Sequence, residues 1–477
     1  MAVTEALAQD LGEERGYKFR WFVMAAVIIA DVMDLLDATI ANLAGPSIRH
    51  DLGGSSTTIQ WVLAAYTVSF AIGLITSARA GDLIGRRPMF IVGMAGFTVA
   101  SLACGLAPNA DLLIVFRVLQ GLFGAVMLPH GLAMVKQSFH PDDLQKAFIP
   151  FGPIMGLAAV LGPILAGVLI DADILGSGWR MIFLINVPVG LVGTYVAVRY
   201  LPDVPRDPSA RLDPLGSVLV LLASGCLIYP LVQGRELGWP AWTYALLGVA
   251  AVLIGAFVWN ERRSDHPLIA PSLFAHRGFV AGLVFLTTFF VAMVGFNLIM
   301  NLFMQLGLHF TPLNSGIAQT PYALGMAVGA GAAGAALGPK FGRHVVHAGL
   351  VITMLGVVWF SLIARDLQVG ASAWNFTGPF LVAGIGSGLI FAPLFDVILA
   401  DLGDDEVGTG SGLLNAAQQF AGALGVAILG TVFFNWVPIH GWQTATEWMG
   451  WVSIGCYATA FAAAFLMPLK AREGGLH

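Results

Sequence analysis

Residues 19–42 read FRWFVMAAVIIADVMDLLDATIAN, and this stretch decides the class of fold. It has the length of a membrane-spanning helix, which needs about 20 mostly apolar residues, yet it contains Asp31, Asp34 and Asp37. Their i, i+3, i+6 spacing places the three aspartates on one arc of a helix, roughly 120° wide. Because an Asp at the bilayer centre costs about 2.5–3.5 kcal/mol, we expect this face to line a cavity or to meet a partner rather than lipid.

The rest of the chain has the composition of a membrane protein. Of its 477 residues, 57% are hydrophobic and only 11% are charged, whereas a soluble protein carries about 25% charged residues. We therefore expect an all-α integral membrane protein. Cys104, Cys226 and Cys456 lie in apolar stretches without a CxxC pair, which predicts neither a disulfide framework nor a metal site. The net charge of −5 and the lack of a basic run give no reason to expect a nucleic-acid partner.

Apolar runs bounded by charge, Pro or Gly predict fourteen spans. They fall near 19–42, 57–79, 88–107, 110–131, 147–170, 181–201, 213–233, 240–260, 278–305, 314–338, 344–364, 375–400, 410–434 and 450–469. With both termini inside, eighteen of the 23 Lys and Arg residues fall in cytoplasmic segments, as the positive-inside rule requires. Since adding or removing one span would invert every later loop, fourteen spans with both ends cytoplasmic is the predicted topology.

Two charged, Pro-rich linkers near 201–214 and 261–278 divide the chain. They predict an N-terminal six-helix bundle over 1–201, a linker with two additional transmembrane helices over 202–277, and a C-terminal six-helix bundle over 278–477. A weak internal repeat supports the division, because GDLIGRR at 81–87 is echoed by GPKFGR at 338–343. Many secondary transporters are built from repeated halves with a substrate site between them at mid-membrane.

Arg117 is the basic residue that falls inside a predicted span. At 1.5 Å per residue it lies about 10 Å below the outer face, and Asp34 and Asp37 lie at roughly 8–12 Å. An acid and a base at matched depth allow two interpretations. Either at least one of the aspartates exchanges protons or contacts substrate, or Asp37 and Arg117 form a fixed ion pair that holds two helices together.

Other polar and aromatic side chains within spans are candidates for substrate contact. They are Asn297, Asn301 and Gln305 on the ninth span, Asn415, Gln418 and Gln419 on the thirteenth, and Trp61, Tyr66 and Phe70 on the second. Hydrogen bonds between helices explain such polar stripes without a ligand, and Trp61 also fits an interfacial anchor. Asp396, near the inner end of the twelfth span, fits a structural or a gating role.

The fifth span carries Gly152-Pro153, Gly156, Gly162-Pro163 and Gly167. Proline removes a helical hydrogen bond and glycine lets backbones approach, so this helix is expected to be kinked and closely packed, as a hinge or through packing alone. No GxxxxGK[ST] motif is present, so an ATP-binding P-loop is not expected. Work against a gradient would then use an ion gradient without a cofactor, and buried carboxylates are suitable proton carriers.

The sequence resembles the major facilitator superfamily, and within it the drug:proton antiporter group with fourteen spans. Leu36 to Pro46 (LDATIANLAGP) is similar to that group's first-helix motif, with Gly45 in place of Leu. Further similar motifs are Gln60-Trp61 with Tyr66, Gly81 to Arg87, the RxxQGxxG pattern of Arg117, Gln120, Gly121 and Gly124, the fifth-helix glycines, and Trp179-Arg180 through Asn186, Pro188 and Gly190. Together and in this order they cover nearly the whole chain.

The resemblance implies roles for the matched residues. Asp34 and Asp37, with Asp31 beside them, would be proton or cation sites, and Arg117 would assist proton transfer. The candidate latch and hinge residues are Gly81, Asp82, Gly85, Arg86, Gly162, Pro163 and Gly167, among which Asp82 and Arg86 would latch the cytoplasmic side. The candidate substrate contacts are Asp34, Trp61, Tyr66, Gln120, Asn297, Asn301, Gln305, Asn415 and Gln418.

The leading hypothesis is a monomeric, proton-coupled exporter of amphipathic or cationic small molecules in a bacterial cytoplasmic membrane. A proton-coupled metabolite or siderophore transporter is the alternative on the same fold, because fold does not fix substrate. A non-transporting membrane sensor is a third class, and no appended soluble domain or long loop supports it.

Overall fold

The computed structural model describes residues 17–140, 143, 151–203, 213–264, 267–403 and 406–470, and this part of the chain is helical without strands. The helices are α1 (Arg20–Leu52), α2 (Ser56–Ile84), α3 (Arg86–Gly105), α4 (Ala110–Ser138), α5 (Phe151–Asp171), α6 (Met181–Leu184), α7 (Asn186–Tyr200), α8 (Pro214–Gln233), α9 (Ala241–Glu261), α10 (Arg277–Leu302), α11 (Pro312–Ala332), α12 (Gly338–Phe341), α13 (Arg343–Ala364), α14 (Thr377–Ile398) and α15 (Val407–Ala464). Single π-helical turns, Phe303–Gly307 and Ala333–Leu337, extend α10 and α11.

Several helices begin at residues whose side chains satisfy the free N–H groups of a first turn. Ser55 accepts from the Thr57 N–H at the start of α2, and Asn109 accepts from the Leu112 N–H at the start of α4. Asp213 and Thr311 do the same for α8 and α11, each of which has Pro at its first position. Polar caps and Pro at the first position are strong helix-start signals, so the polar residues between apolar runs fix where these helices begin.

The two ends of the molecule are distinguished by their turns. At one end, here called the base, the Tyr17 N–H donates to the Ser138 carbonyl and the Arg343 N–H donates to the Leu469 carbonyl. The other end, here called the top, carries Gly53 after α1 and the turn between α8 and α9. Successive long helices run in alternate directions between the base and the top.

Within the described ranges, eleven helical segments are long and apolar enough to cross a membrane. The chain is therefore a multi-pass membrane protein. Several observed bounds follow the predicted runs closely, as for α9 (Ala241–Glu261) and α13 (Arg343–Ala364). Helices α1 and α11 are not among the eleven. The first carries three aspartates, and the second is rich in Gly and polar residues.

Helix α15 combines the two last predicted runs. Its 58 residues would extend about 87 Å at 1.5 Å per residue, almost three times the hydrocarbon thickness of a bilayer. The chain reverses at Gly441, which has φ 79° and ψ 168°, and the rings of Trp436 and Trp448 on either side of it meet with centroids 5.7 Å apart. Residues 434–450, which the sequence predicts as a connection between two spans, are therefore helical except for a break at Gly441.

The helices enclose separate cores. Helices α1–α7, the first bundle, bury side chains such as Met94, Phe97 and Met127, and helices α10–α15, the second bundle, surround a larger aromatic cluster that includes Phe285 and Phe289. A third cluster near the top joins both bundles to the hairpin formed by α8 and α9, here called the hairpin. Its members include Ile59, Ile228, Val232, Leu298, Leu429 and Phe433. The predicted domain boundaries at 201/202 and 277/278 stay predictions.

The internal repeat corresponds to two similar turns at the base. Gly85, between α2 and α3, has φ +111°, and Gly342, between α12 and α13, has φ +51°. Side-chain-bearing residues rarely adopt such values, so glycine is required at both places. The repeated sequence pattern thus marks a tight helix-to-helix turn in each bundle.

Candidate functional site

The three aspartates of α1 lie in different surroundings. Asp37 is buried with 2% of its surface exposed, whereas Asp31 and Asp34 are partly exposed. The acidic face of α1 therefore has one buried carboxylate and two carboxylates that are partly exposed.

Asp37 is held by two residues of α4. Arg117 Nη1 donates to Asp37 Oδ2 at 2.5 Å, and Gln120 Nε2 donates to Asp37 Oδ1 at 2.7 Å. Both carboxylate oxygens are thus occupied, and the side chains of Asp37 and Arg117 are each only 1% exposed. A buried charge is tolerated when it is paired and hydrogen-bonded, and this pair meets both conditions.

Neighbouring helices complete the surroundings of the pair. Arg117 Nε donates to the Val62 carbonyl of α2 at 3.0 Å, and Arg117 Nη1 also donates to Gln120 Oε1 at 2.7 Å. Gln120 Nε2 donates to Ser101 Oγ of α3 at 2.8 Å, and Cys104 Sγ lies 3.5 Å from Gln120 Oε1 as a donor. The network therefore ties together α1, α2, α3 and α4.

Tyr66 connects Asp34 to this network. Its hydroxyl donates to Asp34 Oδ1, and the Arg117 guanidinium lies over the Tyr66 ring, 4.3 Å from its centroid. A cation over an aromatic face is attracted electrostatically. Asp34, Tyr66, Arg117 and Asp37 thus form one continuous series of contacts, with its partly exposed end at Asp34.

The polar stripe of the ninth predicted span faces α1. Asn42 Nδ2 donates to Asn297 Oδ1 at 2.6 Å, and Asn301 Nδ2 donates to the Asn42 carbonyl at 2.6 Å. Gln305, in the π-helical turn after α10, donates to the Leu43 carbonyl at 2.8 Å. These bonds join the first bundle to the second. Hydrogen bonds between helices thus account for this polar stripe without a ligand. Asn297 also lines a cavity of about 20 Å³ in the second bundle, about enough for one water molecule.

The other candidate substrate contacts are dispersed. Trp61 Nε1 donates to Gln233 Oε1 of the hairpin at 3.3 Å, and Asn415 is exposed and donates to the Ser411 carbonyl of its own helix. Gln418 is partly buried on α15, and Asp396 is partly buried two residues before the end of α14. The structure does not bring these residues to the Asp34–Tyr66 contact.

Two of the fifth-span glycines, Gly162 and Gly167, lie where helices make close contacts. A Cβ on Gly162 would lie 2.7 Å from Thr39 Oγ1 of α1, and a Cβ on Gly167 would lie 2.4 Å from Leu313 Cα of α11. The Pro163 carbonyl oxygen approaches Gly316 so closely that a Cβ there would lie 2.3 Å away. The fifth span therefore packs its small residues on α1 and on the second bundle.

The predicted latch at the base is described in part. Gly81 packs on the His130 ring of α4, because a Cβ would lie 2.0 Å from that ring. Gly85 makes the positive-φ turn, and Arg86 begins α3. The Asp82 side chain lies outside the described part of the chain, so its predicted role in the latch stays a prediction.

The two bundles meet near the top. Among the described residues, the hydrogen bonds that cross between them join α1 to α10, α2 to α15, and α5 to the start of α11. Gln60 of α2 donates to the Val426 carbonyl at 3.0 Å, and the Leu313 N–H donates to Asp171 Oδ2 at 3.2 Å. Further toward the base, a cavity of about 230 Å³ is lined by α2, by α15 and by both helices of the hairpin. The molecule is thus closed at the top between its bundles.

Sequence reasoning missed several partners of the site. Ser101 and the Val62 carbonyl gave no signal, because neither differs from an ordinary helix position. Trp179 Nε1 donates to Asp51 Oδ2 at 2.9 Å and Arg180 also donates to Asp51. The sequence marks the Trp179-Arg180 pair as a motif but does not indicate Asp51 as its partner.

Comparisons with known proteins agree with this architecture. The family model described as Major Facilitator Superfamily matches residues 27–426. The "Probable actinorhodin transporter" of Streptomyces coelicolor is 45% identical over 424 residues, which cover 88% of this chain and 73% of that protein. The "Tetracenomycin C resistance and export protein" of Streptomyces glaucescens is 32% identical over 416 residues, covering 86% and 76%.

A solved structure supports the fold alone. The crystal structure of a POT family transporter in complex with a thioalcohol-conjugated peptide aligns with a TM-score of 0.68 at 14% identity, over 91% of this chain and 94% of that one. The match of the family model over most of the chain and the identity to named transporters decide the classification. The chain therefore belongs to the Major Facilitator Superfamily and is a membrane transporter rather than an enzyme.

Proposed function

We propose that this chain exports amphipathic or cationic small molecules in exchange for protons. Drug export is named for two relatives, for tetracenomycin C in Streptomyces glaucescens and for cephamycin in Amycolatopsis lactamdurans, and two others are named for resistance to puromycin and to multiple drugs. It is the function of this chain as well. The observation that supports proton coupling is the series of contacts from Asp34 through Tyr66 and Arg117 to Asp37.

The two acids of this series are suited to different tasks. Asp37 accepts hydrogen bonds on both oxygens and is sealed from its surroundings, so it serves to hold Arg117 in place. Asp34 is partly exposed and accepts from Tyr66. We assign proton exchange to Asp34, with Asp31 next to it on the same arc. A cationic substrate that approaches Asp34 would compete with the proton for the same carboxylate.

The proposed topology has fourteen spans with both ends in the cytoplasm of a bacterium. Eleven segments satisfy length and hydropathy. The 33 residues of α1, the 21 residues of α11 and the reversal at Gly441 within α15 supply three more. The base would then be cytoplasmic, where the positive-inside rule places Lys and Arg, and the top would face outward. The two acidic or polar helices avoid lipid by facing their neighbours.

The closed top supports a mechanism of alternating access. In this arrangement the bundles are joined by Asn42–Asn297, Gln60–Val426 and Leu313–Asp171 near the outer face. Substrate would enter from the cytoplasmic side, and release would require these contacts to separate. Gly162, Pro163 and Gly167 lie along the surfaces that would close and open, which supports their proposed hinge role.

Proteoliposomes with an imposed pH gradient test the proposal. The purified chain is expected to move a fluorescent cationic dye, tetracenomycin C or puromycin, and to release protons as it does so. Asp34→Asn should abolish the dependence of transport on the pH gradient. The matched control is Asp111→Asn, because Asp111 is exposed in the first turn of α4 and should retain full coupling. If no compound moves, or if Asp34→Asn couples normally, the proposal is wrong.

A further inference from the structure

The turn of the hairpin reaches over the beginning of α2 at the top. Glu236 accepts hydrogen bonds from Ser55 Oγ, at 3.0 Å, and from Thr57 Oγ1. Arg235 donates to Ser56 Oγ. The hydroxyls of three consecutive polar residues at the start of α2 are therefore engaged by two adjacent, oppositely charged residues of the hairpin.

A second set of contacts fastens α8 to α2 one turn lower. Trp61 Nε1 donates to Gln233 Oε1 at 3.3 Å, and the Trp61 and Tyr229 rings meet with centroids 5.7 Å apart. Aromatic pairs at this separation add to the stability that burial provides. The hairpin is thus attached to the first bundle by charged, polar and aromatic contacts.

On its other side the hairpin touches α15 of the second bundle. Thr431 Oγ1 donates to the Leu231 carbonyl at 2.8 Å, and the Arg235 guanidinium lies 5.4 Å from the Phe434 ring centroid. Thr431 also accepts from Gln60 Nε2 of α2 at 3.2 Å. Thr431 is therefore the point where α2, α15 and the hairpin meet.

The two attachments differ in kind. The α2 side has four hydrogen bonds, two of them to the Glu236 carboxylate, and a ring pair. The α15 side has a neutral hydroxyl-to-carbonyl bond and a cation over a ring. When α2 and α15 separate at the top, the weaker attachment is the one expected to break.

We propose that the hairpin is a clasp on the top of the transporter, carried by the first bundle through Arg235 and Glu236 and closing on α15 at Leu231 and Thr431. This rests on the proposed function, because only alternating access requires the top to open. The proposal assigns a function to the two additional helices, α8 and α9. They favour the closed top and release α15 in each cycle, so they set the rate at which substrate leaves.

Cross-linking can test which attachment must open. The two half-buried cysteines, Cys226 and Cys456, are replaced by Ala, and the fully buried Cys104 is retained. One variant carries Thr57→Cys with Glu236→Cys, which links the hairpin to α2. A second carries Leu231→Cys with Thr431→Cys, which links it to α15. Each is assayed for dye efflux from proteoliposomes before and after treatment with a short bis-maleimide.

The two links are expected to act in opposite directions. The α2 link should leave efflux at or above the untreated rate, since it replaces bonds that persist through the cycle. The α15 link should reduce efflux to background. The clasp is refuted if the α15-linked protein still transports, or if the α2-linked protein stops. Efflux by the untreated parent protein reports the proposed function separately, so failure of that function is distinguished from failure of the clasp.

A second measurement needs no substrate. Ala427 is fully buried where α15 meets α2, so a cysteine there reacts with an impermeant maleimide only when the top opens. Adding Phe434→Leu, which removes the α15 ring that faces the Arg235 guanidinium, should raise the labelling rate about threefold, as expected for the loss of an exposed cation–ring contact. The control is Glu236→Gln, which should leave the labelling rate unchanged, because the contacts of Glu236 with α2 are made in both the closed and the open state. Equal labelling in both variants would contradict the clasp.

Discussion

Removing either member of the buried Asp37–Arg117 pair is expected to destabilise the first bundle more than the size of the change suggests. Arg117→Met would leave Asp37 with one hydrogen bond, from Gln120. Asp37→Asn would place an amide against the guanidinium without a compensating charge. Breaking a buried pair by removing one partner costs about 3–5 kcal/mol, because an uncompensated charge stays buried. Independent effects would therefore sum to about 6–10 kcal/mol.

The double variant Asp37→Asn/Arg117→Met is expected to cost far less than that sum. With both charges gone, the remaining losses are the hydrogen bonds from Arg117 to the Val62 carbonyl and to Gln120 Oε1, and the contact with the Tyr66 ring. These losses are offset because neither charge then has to be buried, and replacing a buried ion pair by uncharged residues of similar volume is often neutral or stabilising. The double variant should thus lose less than either single variant, under about 3 kcal/mol, and the coupling energy should be several kcal/mol.

The assay is denaturant or thermal unfolding of the four proteins in one detergent, combined as a double-mutant cycle. Dye efflux measured on the same samples shows whether the stable double variant still transports. Additive effects, with a coupling energy below about 0.5 kcal/mol, would refute the picture of a sealed pair. Full proton coupling in the double variant would show in addition that Arg117 serves packing alone.

Three further predictions concern other contacts. Gly316→Leu places a side chain where even a Cβ would lie 2.3 Å from the Pro163 carbonyl oxygen. It should therefore raise maleimide labelling of a cysteine at position 427 and slow efflux. Gly331→Ala, with no atom within 4 Å of its Cβ, should change neither. The hydrogen bond from Arg180 lowers the pKa of Asp51 below its ordinary value. Wild type should therefore be more stable than Asp51→Asn above about pH 4, by up to about 1 kcal/mol for an exposed pair. Thermal unfolding should show this difference disappearing as the pH falls below that value. Asn301→Leu removes a bond between the bundles and should change the maximal rate for every substrate by a similar factor; a selective rise in KM for one compound would instead make Asn301 a substrate contact.

The sequence predicts helices well because an apolar run bounded by charge has one stable form in a bilayer. Backbone groups in lipid must bond within the segment, so the run predicted at 344–364 is observed as Arg343–Ala364. The end of a helix is harder to predict where aromatic residues extend the apolar run. The helix before Gly441 continues past residue 434 because Trp436 and His440 are compatible with both the helix and the membrane surface.

Partners across the bundle could be predicted only where the chemistry demands one. Arg117 within an apolar run requires an anion, and matching depths indicated the aspartates of α1; the observed partner is Asp37. The stripe of Asn297, Asn301 and Gln305 is different, because an amide can bond to a ligand, a carbonyl or another amide. Periodicity shows that such residues share a face. It does not show which helix that face meets, so their contact with Asn42 and Leu43 required the structure.

The position of Asn42 on α1 suggests how proton exchange would act on the top of the molecule. Asn42 and Asp34 lie eight residues apart on one unbroken helix, about 12 Å along its axis. A ligand shifts a conformational equilibrium only by its difference in affinity between the two states. In the proposed exchange, a proton on Asp34 changes the contact with Tyr66, and any resulting shift of α1 is transmitted directly to the bonds that Asn42 makes with α10. In this proposal helix α1 carries both the exchangeable acid and part of the gate, so the two are coupled along a single helix.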